Sequence, residues 1–386
     1  MDNNGQPDVE LQSSRVIILV GRGLPPWYWA RTVRVFDAMT VSSLSASLSL
    51  GSMSLGSLAV GALASSSGCG GASASGPASA AATTAPTAAP APPRHPFPGA
   101  EPARRIPSDV AFESLEGPFW DAPRGVLLFS DVVEENGPAA KIYRYAPETR
   151  TFAIEPYPVT PTSTNGLGVD PQGHLVACER YNGALVRVAD GKRVVLADHF
   201  PQNGGAALAA PNDLIVRADG TIYFSDTKWG AKPGAHAEQA VYRIAPSGQV
   251  SVAYAVSMPN GVALSPDGRT LYVGSDAQNL VWKLPVDASG ATGPASVLID
   301  PSQAPGGLFK VPDGIGIDDA GNLYVANNDD AVKAIEVFSP EGRYLGDIAL
   351  PDKPSNCTFG GKDRKTLYIT TLHAVYEVAV PTPGLP

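Results

Sequence analysis

Cysteine is scarce in this chain, with three in 386 residues, and none has the CxxC spacing of a zinc knuckle. Cys178 and Cys357 fall in predicted strands and read as small buried hydrophobes rather than as a disulfide. Histidine is also sparse: His95, His174, His199, His236 and His373 form no motif, and His174 reads as a solvated turn residue. No GxSxG elbow is present to carry a nucleophilic serine. Basic residues are outnumbered 28 to 37, the formal charge is −9, and no basic stripe occurs, which excludes nucleic acid as an expected partner. The globular part lacks an apolar run of about 18 residues, so no helical membrane span is expected there.

From Thr40 to Pro93 there is no acidic residue and no aromatic, only small, polar and weakly apolar side chains. Such a run cannot bury enough apolar surface to offset its ordering entropy. Residues 70–103 therefore read as a low-complexity linker, disordered over Gly70 to Pro93. Ahead of it, Met39 to Ser67 is rich in Leu, Ser, Ala and Gly, follows Arg31 and Arg34, and leads to Gly68-Cys69-Gly70. This pattern predicts an export signal over 1–69 ending at a lipidated Cys69, with Ser66 where a lipobox usually carries Leu. The expected location is the bacterial envelope, periplasmic or lipid-anchored, with Cys69 as the one expected membrane attachment and the cytoplasm as the alternative.

What is present in quantity is a repeat. Glu116-Gly-Pro-Phe-Trp120, Asn165-Gly-Leu-Gly-Val169, Asn212-Asp-Leu-Ile-Val216, Asn260-Gly-Val-Ala-Leu264, Asp313-Gly-Ile-Gly-Ile317 and Asn356-Cys-Thr-Phe-Gly360 recur at intervals of 43 to 53 residues. Four of them run into a Gly-containing turn, such as Asp170-Pro-Gln-Gly173 or Ser265-Pro-Asp-Gly268, and then into a β-branched and aromatic strand. That period matches one four-stranded propeller blade. The fold class expected is all-β, a six-bladed β-propeller over 104–386 with a disordered N-terminal extension. The sixth copy runs out of chain after three strands, so Ile106 to Phe112 is expected to supply its fourth.

In a propeller the first strand of each blade lines the channel, which brings Glu116, Asn165, Asn212, Asn260, Asp313 and Asn356 to one mouth. The second strand returns beside it and ends in Ser130-Asp131, Glu179, Ser225-Asp226, Ser275-Asp276 and Asn327-Asn328. Oxygen donors without His or thiolate suit one hard dication, Ca²⁺ first, with Mg²⁺ or Mn²⁺ next. A dication can polarise a carbonyl and activate water, so Asp313 is the expected general base and Asn165 a partner of substrate or water. Asp226 is expected either to hold Asn212 or to pin its strand, a position shared with Asp131 and Asp276. The insertion 228–239, with Trp229 and His236, falls just past Asp226 and is either a cover for the pocket or an ordinary surface loop.

These stretches, with Leu128-Phe-Ser-Asp131, Pro211-Asn-Asp213, Tyr223-Phe-Ser-Asp226, Pro259-Asn-Gly261, Pro312-Asp-Gly314 and Asn356-Cys-Thr-Phe-Gly-Gly361, resemble the gluconolactonase branch of the senescence marker protein, gluconolactonase and luciferin-regenerating family. The resemblance implies a six-bladed propeller lactonase with a calcium- or zinc-type metal, held by Glu116, Asn212, Asn260 and Asp313, and a small lactone or ester as substrate. A sugar-acid lactone such as gluconolactone is favoured. Ala210 stands where animal-type sugar lactonases carry Arg, and Asn165 where paraoxonase-like relatives carry His. An arylesterase, a phosphotriesterase or a non-catalytic ligand-binding propeller stay open as alternatives.

Overall fold

The computed structural model describes residues 93–132, 141–158, 164–202, 205–229, 238–307 and 309–385. The expected export segment, Cys69, the tether up to residue 92 and His236 lie outside the described residues. The strand–turn–strand pattern folds into six antiparallel four-stranded sheets and one two-residue ribbon, His199–Phe200 with Ala206–Ala207. The innermost strands are Leu115–Asp121, Thr164–Val169, Ala210–Val216, Pro259–Leu264, Pro312–Ile317 and Pro354–Gly360, opening blades one to six. Each packs beside the innermost strands of its two neighbours, and blade six meets blade one, so the sheets form a closed six-bladed propeller. Among the described residues the one helical element is a 3-10 turn, Pro305–Gly307.

The turns form as their residues predict. Gly173, Gly220, Gly268 and Gly321 adopt φ of 84°, 89°, 65° and 83°, a region that L side chains with a Cβ rarely enter. The strands that follow bury their aromatics between blades. Tyr324 of blade five meets Phe359 of blade six edge-on at 5.0 Å, and Tyr368 of blade six stacks on Trp120 of blade one at 5.6 Å. Burying each such ring is worth roughly 1.5–3 kcal/mol. Cys178 and Cys357 are free buried thiols in this packing, as expected.

The N-terminal segment does complete the last blade, but not with the residues expected. The fourth strand is Arg104–Arg105, paired with Glu377 and Tyr376, and the Ile106 amide adds a bond to the Val375 carbonyl at 2.9 Å. The ladder stops there because Pro107 has no amide hydrogen to continue it. Ile106 and Phe112 turn into the core beneath blade one instead.

Just ahead, in the last part of the span read as linker, a short strap is docked on blade five. Pro96 bridges Asp347 in parallel, Phe97 buries its ring beside Tyr324, and Arg94 pairs with the buried carboxylates of Glu336 (2.9 Å) and Asp347 (2.5 Å). One cation and one aromatic suffice to dock a stretch whose composition is otherwise low in both. His174 is likewise less free than its turn suggested, its Nδ1 lying 3.1 Å from the Asp170 carboxylate.

Candidate active site

The innermost strands share a local irregularity at the channel mouth. In four of the six, pairing with the second strand breaks across the repeat residue, between Thr164 and Leu167, Pro211 and Leu214, Pro259 and Val262, and Pro312 and Ile315; in blade one it breaks just after Glu116 and in blade six just before Asn356. A bulge of this kind re-aims a side chain that a regular ladder would point across the sheet. The glycine after the repeat residue has its own cause. A Cβ on Gly117 would stand 2.1 Å from the Asn165 carbonyl oxygen, and one on Gly261 would stand 2.2 Å from that of Asp313. Main chain of adjacent blades is therefore in contact, and the six repeat residues close into a tight ring.

The structure brings the four expected ligands to this ring. Asn212 and Asn260 line one small cleft, the Asn260 amide lies near enough to Asp313 to favour its ionised form, and Glu116 lies close enough to Asp313 for their charges to interact. Asn165 is buried, and its Nδ2 has no hydrogen-bond partner within the protein. Asn356 turns its Oδ1 to its neighbour, accepting from the Cys357 amide at 2.7 Å.

Register then separates two kinds of second-strand residue. Asp131 stands opposite Leu115, Glu179 opposite Thr164, Asp226 opposite Pro211, Ser275 opposite Pro259 and Asn327 opposite Pro312. Asp131 accepts the amides of Glu113 and Ser114, and Asp226 those of Ala209 and Ala210 at 2.9 and 2.7 Å. Asp226 thus holds the backbone ahead of Asn212. Glu179 is tied to Arg193, Asn182 and Tyr157.

Asp276 does not share this position, contrary to the sequence reading. It lies one residue further on, and one residue of register turns a side chain to the other face. The Asn260 Nδ2 donates to both its oxygens at 3.3 and 3.4 Å. Asn328, its counterpart in blade five, donates to Asp313 Oδ2 at 2.8 Å. The same station holds Thr227 in blade three, which lines the cleft, and Arg180 in blade two, whose charge reaches Glu116. Sequence reasoning placed Asn328 beside the mouth without giving it a role, and missed Arg180. The signal that finds them is the parity of the strand, counted from the bulge.

The site is crowded with acid. Burial, then Asp313 and Asp213, hold the Glu116 carboxyl well above the usual carboxylate range, with Arg180 opposing. Burial pushes Asp313 up to about 7, against the bond from Asn328. Burial and Asp313 likewise raise Asp276, and burial lifts Asp213 to about 6 although its carboxylate accepts the Val262 amide. Two carboxylates and two amide oxygens at one mouth fit a hard dication, which would relieve the repulsion among these acids. Of the insertion 228–239, residues 230–237 lie outside the described residues. Trp229 is described and is half exposed at the cleft.

Comparison with known proteins agrees with this architecture. A gluconolactonase of Zymomonas mobilis is 31% identical over 309 residues, covering 73% of this chain and 82% of that one. The crystal structure of a gluconolactonase of Xanthomonas campestris has a TM-score of 0.59 at 28% identity, covering 76% of this chain and 99% of the other. Regucalcin of Agrobacterium tumefaciens, a calcium-binding protein, shares the fold at TM-score 0.59 and 19% identity, covering 76% and 99%. The model of the SMP-30/gluconolactonase/LRE-like region matches residues 115–373, and the chain belongs to that family.

Proposed function

We propose that this protein is a dication-dependent hydrolase that opens a lactone, with a sugar-acid lactone such as gluconolactone favoured. The observation that carries the reading is the ring of oxygen donors, buried Asn212 and Asp313 with half-buried Glu116 and Asn260, at one channel mouth. The 31% identical Zymomonas relative is a gluconolactonase, which supports the substrate class. These four residues would hold the ion, Ca²⁺ first, with Zn²⁺, Mg²⁺ and Mn²⁺ as alternatives. When bound, the dication supplies Lewis acidity, polarising a carbonyl oxygen and making nearby water more acidic.

The chain's own residues supply the rest. Asp276 accepts from the Asn260 Nδ2, which leaves the Asn260 Oδ1 as the atom offered to the ion. Asn328 holds one Asp313 oxygen and leaves the other for the attacking water, whose proton it takes. The unpartnered Asn165 Nδ2 donates to an oxygen of substrate or water. Arg180, the cation nearest Glu116, favours the negative charge that develops on the carbonyl and remains on the product. In the balanced reaction the water oxygen bonds to the acyl carbon, the ring C–O bond breaks, and a carboxylate and a hydroxyl result.

The test is a panel of sugar lactones, simple lactones and aryl esters, assayed with and without chelator and with elemental analysis. Lactone opening that chelator abolishes and added dication restores is expected. Preference for aryl esters would move the reading to an arylesterase. Full activity in protein shown to be free of metal would overturn the mechanism.

A further inference from the structure

The oxygen ring accounts for the reacting end of a substrate and leaves the remainder without a partner. Beside the ring, one small cleft is lined by Asn212, Asn260 and Asp276 together with Thr227, Trp229 and Met258. Trp229 is 50% exposed, a large apolar surface left in water at the entrance to a polar site. It is held in place: its amide donates to Thr227 Oγ1 at 2.9 Å, and Thr227 is buried in the ladder opposite Ala210.

Met258 is fixed as firmly. Its amide donates to Gln239 Oε1 at 2.9 Å, its carbonyl accepts the Asp276 amide at 3.0 Å, and its φ is 48°. A non-glycine residue held left-handed just before a proline persists only where its surroundings over-determine it. The lining therefore combines two chemistries, amide and carboxylate from Asn212, Asn260 and Asp276, and indole and thioether from Trp229 and Met258. A sugar-lactone ring likewise combines polar and apolar surface, with hydroxyls and carbonyl at its edge and C–H bonds on its faces. Aromatic rings with a free face pack well against such C–H surfaces.

We propose that Trp229 is a specificity-determining residue, the platform on which the C–H face of a sugar-lactone ring rests while its polar edge meets Asn212 and Asn260. This rests on the lactonase reading above. It is tested on the full chain with δ-gluconolactam, a ring analogue that resists opening, by calorimetric titration of wild type, Trp229→Ala and Trp229→Phe. Kinetics on gluconolactone and on δ-valerolactone, which has no hydroxyl groups, complete the set. Trp229→Ala should weaken lactam binding and raise KM for gluconolactone by up to about tenfold, with kcat unchanged. Trp229→Phe should recover most of the loss, and δ-valerolactone should be affected less. Unchanged lactam affinity and KM in Trp229→Ala would remove the platform and leave the lactonase intact. Wild type that opens no lactone but binds the lactam through Trp229 would keep the platform and remove the lactonase. Wild type that does neither would remove both.

Discussion

Blades three and four carry the same dipeptide near the ends of their second strands, Ser225-Asp226 and Ser275-Asp276, yet the two acids differ in what they touch. Asp226 stands opposite Pro211 and accepts two backbone amides, a bond set that fixes where the chain enters the channel. Asp276 falls one residue past the equivalent register, faces the mouth, and accepts from the side chain of Asn260. One carboxylate anchors the fold and the other orients a candidate ligand. The lesson is that strand parity, not residue identity, divides scaffold from site in this molecule.

The largest expected effect lies at Asp313, whose charge reaches Asp276. Asp313→Ala should abolish metal binding and lower kcat by about 10²–10⁴-fold, whereas Asp313→Asn should keep part of the metal and still lose most turnover. An amide can offer an oxygen but cannot take a proton. Calorimetric metal titration beside steady-state kinetics separates the two, and full activity in Asp313→Asn would remove it as base.

Next in size is Asp276→Ala, expected to weaken metal affinity by about 10–100-fold. The metal-free variant should melt no lower than wild type, because a buried acid beside Asp313 has gone. Asp276→Asn, still able to accept from Asn260, should recover much of the affinity.

Asp226→Ala should do the reverse. Metal affinity measured on the folded fraction should hold, while unfolding free energy drops by about 2–4 kcal/mol as two buried amides lose their acceptor. Equilibrium denaturation of metal-free protein measures it, and equal stability would remove the anchor role.

The smallest effect is a slope. Burial raises Asp226 to about 7, above its ordinary 3.8, so the folded state binds the proton more tightly than the unfolded chain. The stability this adds is complete below about 4 and is lost as pH rises to about 7. Urea midpoints across that window should therefore fall less steeply in Asp226→Asn than in wild type. Asp276→Ser, which removes an acid from the mouth, should leave the Asp226 contribution to that slope in place.

These pairs also mark what the sequence could reveal. The turns and the second-strand aromatics are local chemistry, and they placed six blades and the ring from Glu116 to Asn356. Residues whose roles depend on counting across a bulge were not legible, because the bulge shifts parity and leaves no signature of its own. Asp276 was therefore grouped with Asp226, Asn328 stood beside the mouth without a role, and Arg180 passed unnoticed. The strap was hidden for a different reason. Arg94 and Phe97 stand at the edge of a compositionally uniform stretch, and their partners, Glu336 and Asp347, lie far along the chain. Ile106 to Phe112 was expected to fill a blade one strand short; the strand lies just ahead of it, at Arg104–Arg105, because Pro107 cannot extend the ladder.

The glycines of the ring have a bearing on how such a mouth can change. At Gly117 and Gly261 the neighbouring blade's carbonyl oxygen occupies the space a Cβ would need. There the spacing between channel strands is set by peptide units, which are the same in any sequence. A substitution at Glu116, Asn165, Asn260 or Asp313 then exchanges one donor at a fixed post and leaves the posts where they were. A lineage could swap acid for amide, or amide for imidazole, one blade at a time, without first re-engineering the barrel around it. The same rigidity makes the mouth a convenient frame for design, in which cation selectivity is altered by choosing donors rather than by moving strands.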